Sequence, residues 1–223
     1  MSIYLKKLFY LLVIIANSLA FAGSYEDFFI AIKQDDAKAV TTLLKRGFDP
    51  NTVDPKGLNG LYIAIRDQSL HAAEALIDWP KTNIEIRTAQ DESPLMMAAL
   101  KGQTALARRL IERGADVNKP GWAPLHYAAT GSHLELMDLL LENYAFIDAE
   151  SPNGTTPLMM AAMYGTPGAV KLLLDAGADT AMKNKLGMTA LDFARQANRP
   201  DAAELIETRM RRQPEAQKPA GTW

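Results

Sequence analysis

The chain has 223 residues, with 24 lysines and arginines against 26 aspartates and glutamates, a formal net charge of −2 and no cysteine. That balance gives no electrostatic basis for holding nucleic acid or an anionic lipid surface. Disulfide staples and thiolate chemistry are excluded outright, and a chain of about 200 residues can bury a continuous core without them.

Residues 1–22 read as an export signal: Lys6 and Lys7 form a positive start, Leu8–Ala20 an apolar run, and Ala20-Phe21-Ala22 a small-x-small cleavage site. The alternative, an uncleaved membrane anchor, asks for about 20 apolar residues, and the run here is 13. Cleavage after Ala22 leaves a chain starting at Gly23 with 22 basic and 26 acidic residues, a net charge of −4. An exported chain without cysteine points to a bacterial envelope or its exterior, and so to a periplasmic or secreted protein.

From Tyr25 a helix–turn–helix–loop pattern recurs. The first copy, Tyr25–Asn51, has polar Lys33, Gln34, Asp35, Asp36 and Lys38 around its apolar positions, as an end cap with one wet face requires. In the second, Asn59–Ile86, Asn59-Gly60 opens the first helix, and Pro80 stops the second by pushing Trp79 out of the α region. The third runs from Ser93-Pro-Leu-Met-Met-Ala-Ala99 to Arg113-Gly-Ala-Asp-Val-Asn118. Before the fourth the connecting loop is three residues short, which places Trp122 where sister units have Thr155 and Met188. The fourth unit also carries Tyr144 at the usual glycine and Phe146 at the usual aspartate.

The fifth copy is the clearest. Thr156 caps a helix that starts at Pro157, where a missing N–H costs nothing. Ala161-Ala162 admits a close neighbour and Gly165 the turn that ends the helix. The second helix runs to Gly177, which suits a left-handed exit. The sixth unit ends in charged Glu204–Arg212, an outer cap, and residues 213–223 have the composition of a disordered tail. Such units cannot bury their own apolar faces and must stack.

Anchored on Leu158, equivalent positions fall at Phe28, Leu61, Leu95, Leu125 and Leu191, spaced 33, 34, 30, 33 and 33 residues apart. With the Thr-Pro-Leu-like openings and Gly-Ala-Asp exits, this resembles the ankyrin-repeat family over residues 24–212. The resemblance implies an all-α solenoid of six units with capping ends, filling residues 23–212. It also implies a protein that binds other proteins and has no catalytic residues or cofactor. Small exported bacterial members have been linked to the support of envelope enzymes, a role the resemblance allows here.

Catalytic constellations are thin. His126 and His133 stand in family positions that brace turns, and His71 falls on an exposed helical face. No His, Asp or Glu set has metal-ligand spacing, and no glycine-rich phosphate loop follows a strand. The sequon at Asn153-Gly154-Thr155 sits on a hairpin glycine, and the pairs Met96-Met97 and Met159-Met160 read as adaptable core packing rather than soft metal ligands.

What remains is a surface. Family members bind partners along a concave groove lined by hairpin tips and by the last turn of each first helix. Carried over by position, its centre is Leu100, Trp122, Met163 and Tyr164, with Arg66 and Lys101 toward one edge. Leu58, Thr130, Thr155 and Met188 complete it. Trp122 and Tyr164 are expected to be anchors rather than core, as aromatic residues often are in interface hot spots; the competing reading folds Trp122 over the shortened loop and packs Met163 inward. The expected state is a monomer that binds one other protein, neither nucleic acid nor, after signal cleavage, membrane. Two other readings compete: a secreted effector that binds a host protein, and an enzyme built on the solenoid.

Overall fold

A computed structural model describes residues 23–212, and the export-signal and tail readings lie outside the described residues. Twelve helices alternate with loops among those residues, and the chain divides after Ala89 into two compact units.

The first unit holds α1 (23–33), α2 (Ala37–Lys45), α3 (Gly60–Arg66) and α4 (Leu70–Asp78). Phe28 is fully buried, with Phe29 and Phe48 rings at 5.3 and 4.7 Å. A Cβ on Gly60 would meet the side chains of Ile32 at 2.7 Å and Phe28 at 2.8 Å. This explains why Asn-Gly replaces Thr-Pro: the cap repeat's large side chains occupy the space a proline ring would need. Asn59 caps α3 by accepting the Tyr62 N–H at 2.8 Å. Trp79, extended at ψ 121° before Pro80, ends α4 as the sequence predicts.

His71 is exposed, yet it is not idle. Asp35, in the left-handed turn between α1 and α2, accepts the Ala72 N–H at 2.8 Å and bonds His71 Nδ1 at 2.7 Å. That bond and the Asp35 charge raise the His71 pKa. One repeat thus caps the helix of the next.

The second unit holds α5 (Pro94–Lys101), α6 (Thr104–Glu112), α7 (Pro124–Gly131), α8 (Leu134–Glu142), α9 (Pro157–Tyr164), α10 (Pro167–Asp175), α11 (Ala190–Gln196) and α12 (Pro200–Arg212). The first helices of successive repeats, α5, α7, α9 and α11, pack on one another in order, and each repeat's second helix lies against its first. The anchors Leu95, Leu125 and Leu158 are fully buried, as Phe28 and Leu61 are in the first unit, whereas Leu191 in the last repeat is half-buried. Among the described residues no further repeat covers Leu191, whereas Phe28 in the first repeat is covered by its own repeat's Phe29 and Phe48.

Three of the four first helices of this unit, α5, α9 and α11, start with a reciprocal cap. Ser93 Oγ accepts the Met96 N–H at 3.1 Å while Met96 Sδ accepts the Ser93 N–H at 3.4 Å. Thr156 with Met159, and Thr189 with Asp192, repeat the exchange. The methionine pairs are therefore not uniform core filler: Met96 and Met159 act as buried capping acceptors.

Gly165 also differs from expectation. Its φ of −80° is ordinary, so no left-handed turn explains it. A Cβ there would lie 2.8 Å from the Ala161 carbonyl oxygen and 2.9 Å from that of Ala129. Close approach of two backbones, not conformational freedom, is what demands glycine.

Candidate functional site

The site is set by the short hairpin before α7. Full hairpins close with a backbone bond, such as Ser151 N–H to Thr155 C=O at 2.9 Å and Asn184 N–H to Met188 C=O at 3.0 Å. Between Asn118 and Ala123 no such bond is present, and Lys119 takes over. Its side chain is nearly buried, ion-pairs with Asp91 and donates to the Pro120 carbonyl at 3.3 Å. Losing three residues pulls Trp122 inward. It is half-buried, edge-on to His126 at 5.2 Å and to Tyr127 at 6.4 Å.

His126 is the keystone beneath it. The Ala123 N–H donates to Nδ1 at 3.1 Å, so the ring proton sits on Nε2, which donates to the Thr155 carbonyl at 2.9 Å. One imidazole thereby caps α7 and ties it to the next hairpin. Burial pushes its pKa down, outweighing the bonds to Thr155 and Ala123, and the ring stays neutral. The expected bracing role of His126 is what the geometry displays. His133 braces likewise, its Nε2 donating to the Leu100 carbonyl at 3.1 Å and its ring filling the space a Cβ on Gly102 or Gly131 would need.

Leu100, Thr130 and Met163 occupy one register on the stacked helices α5, α7 and α9. Leu100 and Thr130, with Trp122, His126, Tyr127 and Met160, line a cavity of about 210 Å³. Tyr127 and Met160 were not expected here. Both sit one turn before the groove register, and their half-burial alone separates them from buried Met97 at the same position. Burial, then the nearby Glu92 charge, pushes the Tyr127 hydroxyl up to about 12, so this wall also stays uncharged.

The expected site residues thus divide. Trp122 borders a real pocket, but it also packs against two rings and is not a free anchor. Tyr164 is 57% exposed at the end of α9 and Lys101 is exposed at the end of α5, while Met163 and Met188 are half-buried. Thr155 is a correction: at 3% exposure it cannot meet a partner, because its hairpin folds against α7 and its carbonyl serves His126. Leu58 and Arg66 belong to the first unit. There Leu58 donates its N–H to Asp54 at 2.9 Å, and Arg66 is held in a two-pronged bond to Asp67 at 2.6 and 2.8 Å. Among the described residues no set of three or more His, Asp or Glu is placed to hold a metal, and no helix is long and apolar enough to cross a membrane.

The two departures noted in the fourth unit, Tyr144 and Phe146, lie on the surface outside the expected groove. Tyr144 takes the left-handed backbone at φ 64° and is 85% exposed, with Phe146 at 65%. Asn118 holds both, donating to the Tyr144 carbonyl and accepting the Phe146 N–H, each at 2.7 Å.

Comparison with known proteins agrees with this architecture. The family model described as "Ankyrin repeats (3 copies)" matches residues 28–120, 80–151 and 125–212. Among curated relatives, the neurogenic locus notch homolog protein 1 of Xenopus tropicalis is 36% identical over 119 residues, covering 52% of this chain and 5% of that protein. The ankyrin repeat and SAM domain-containing protein 6 of Mus musculus is 37% identical over 134 residues, and the chain spans 15% of its length. Of solved structures, the human ASB11 ankyrin repeat domain superposes with a TM-score of 0.74 at 26% identity, covering 86% of this chain and 85% of that one. A chain from the Bd0816 predatory endopeptidase of Bdellovibrio bacteriovorus in complex with immunity protein Bd3460 matches at TM-score 0.71 and 29% identity, over 82% of this chain and 97% of that one.

Proposed function

This chain belongs to the ankyrin-repeat family, and from that premise we propose that it is an exported, monomeric binding protein rather than an enzyme. It engages another protein through the face of residues 90–212 that carries the Trp122 pocket. The observation behind this reading is that pocket: an apolar cavity walled by Trp122, Tyr127 and Met160, with exposed Tyr164 on the next repeat. Half-buried aromatics around an apolar pocket have the character of interface hot spots. The partner is an envelope enzyme. Support comes from the similar chain in a bacterial endopeptidase–immunity protein complex and from the signal-like Met1–Ala22 segment.

Two measurements test this. Intact mass of the exported protein should show a chain beginning at Gly23; a species that keeps residues 1–22 and sediments with membranes would make that segment an anchor. In affinity capture from envelope extracts, Tyr164→Ala and Trp122→Ala should each weaken recovery of the partner tenfold or more, while exposed Glu112→Ala and Lys171→Ala leave it unchanged. Unfolding is followed on the same proteins, since Trp122→Ala also removes two edge-on ring contacts at about 0.5–1.5 kcal/mol each. If capture per folded molecule is equal across all four variants, this face is not the binding surface. Accumulation in culture medium rather than the envelope would turn the reading toward a secreted effector.

A further inference from the structure

The Trp122 pocket selects its occupant by size and by the state of its polar groups. At about 210 Å³ it falls below the roughly 300–1,000 Å³ of small-molecule and cofactor sites. It exceeds the roughly 150 Å³ of an apolar cavity that stays dry and holds one benzene ring. One ring or one branched aliphatic group fits.

The lining offers such a group nothing polar to satisfy. Both nitrogens of His126 are engaged, by Ala123 and Thr155. Thr130 Oγ1 donates to the His126 carbonyl at 2.8 Å, the Leu100 carbonyl is bonded to His133, and the Tyr127 hydroxyl is directed to Glu92 at 3.5 Å. No lining side chain carries a charge. A charged or amide group entering here would leave water without gaining a partner, a cost of kcal/mol order that an apolar group avoids. Trp122 is the exception. Its indole N–H has no hydrogen-bond partner among the described residues. Once covered, that donor needs an acceptor.

Resting on the reading of this face as the partner-binding surface, we propose that the pocket receives one apolar side chain of the protein partner, leucine- to phenylalanine-sized. The Trp122 indole N–H donates to a backbone carbonyl of the segment that carries it. The neutral, internally satisfied wall is complementary to an uncharged side chain, and the lone indole donor is complementary to a main-chain acceptor.

The test uses the full chain with labelled methionine methyls and indole nitrogens, titrated by NMR. The probe is N-acetyl-phenylalanine methylamide, which supplies both a ring and backbone carbonyls; N-acetyl-lysine methylamide is the comparison. The phenylalanine probe should shift the Met160 methyl and the Trp122 N–H saturably, and the lysine probe should not. Trp122→Phe keeps a ring but removes the donor, so it should weaken the phenylalanine probe about 3- to 10-fold, the worth of one net hydrogen bond. Leu100→Phe, which adds bulk to the wall, should weaken it tenfold or more while the fold is retained. No saturable shift, or equal response to both probes, overturns the pocket assignment; if Tyr164→Ala still abolishes partner capture, the binding face itself stands. Saturable binding of the phenylalanine probe with capture indifferent to Trp122→Ala and Tyr164→Ala refutes the face, and with it the assignment of the pocket to a partner.

Discussion

His126→Met is the most informative single substitution, because sister repeats already carry Met96 and Met159 at this position. A methionine sulfur can accept the Ala123 N–H as those residues accept theirs, so the cap survives. What is lost is the Nε2 bond to Thr155, whose carbonyl belongs to a residue only 3% exposed. That carbonyl keeps the Ser151 N–H at 2.9 Å, so the loss is one net hydrogen bond, about 0.5–1.5 kcal/mol, and an apolar swap of similar volume adds less than about 1.5 kcal/mol. The expected loss is therefore about 0.5–3 kcal/mol, read as a lower urea midpoint with an unchanged slope. The substitution also removes a pH dependence. Burial lowers the His126 pKa in the folded state, so between that value and the unfolded value of about 6.5 the unfolded chain binds the extra proton. Native stability contributed by neutral His126 is complete above about pH 6.5 and is lost as pH falls toward the folded pKa. Exposed His71 titrates the other way: its raised pKa gives stability below about 6.5 that fades as pH rises through the folded value. Comparing wild type, His126→Met and His71→Gln from pH 7.5 to 5 separates the two. If His126→Met matches the wild-type midpoint and keeps the same acid-side decline, the imidazole is neither holding Thr155 nor buried in its neutral form.

Tyr144→Gly should raise stability by about 0.5–1 kcal/mol, since it relieves roughly 1–2 kcal/mol of left-handed strain and sacrifices part of that to the freer unfolded chain; Tyr144→Ala keeps the strain and should not gain. An equal response of both variants in thermal unfolding would show that the φ of 64° carries no cost. Gly165→Ala should destabilise by about 1–3 kcal/mol because its Cβ meets two backbone oxygens under 3.0 Å away. Gly168→Ala, whose nearest neighbour is a flexible Leu134 methyl at 3.3 Å, should be neutral or stabilising by up to about 1 kcal/mol through helix propensity; chemical denaturation of the pair checks the contrast. Phe146→Asp restores the turn bond that Asp116 and Asp179 make to the N–H two residues on, each at 2.8 Å, and should add about 0.5–1 kcal/mol by the same measurement.

The repeat was legible in the sequence because its signals are local. A 33-residue spacing, a Ser or Thr before Pro and a glycine after the second helix each act within one unit, and they placed five of six anchor residues in full burial. The bracing role of His126 and His133 came from the family resemblance alone; the bonds that carry it, to Thr155 and Leu100 of the adjoining repeats, came from the structure. Contacts between repeats were not legible. That Met159 caps while Met160 walls a cavity depends on which side of α9 faces α7, and two adjacent identical letters hold no trace of it. Thr155 and Trp122 share a register, yet a full hairpin folds one against α7 and a hairpin three residues shorter draws the other over His126. Gly165 reads as a turn residue until the Ala129 carbonyl of the preceding repeat is placed beside it. Periodicity along one chain determined what the repeats are; the distance between neighbouring repeats, set by side chains 30 or more residues apart, decided which of their residues are left to bind.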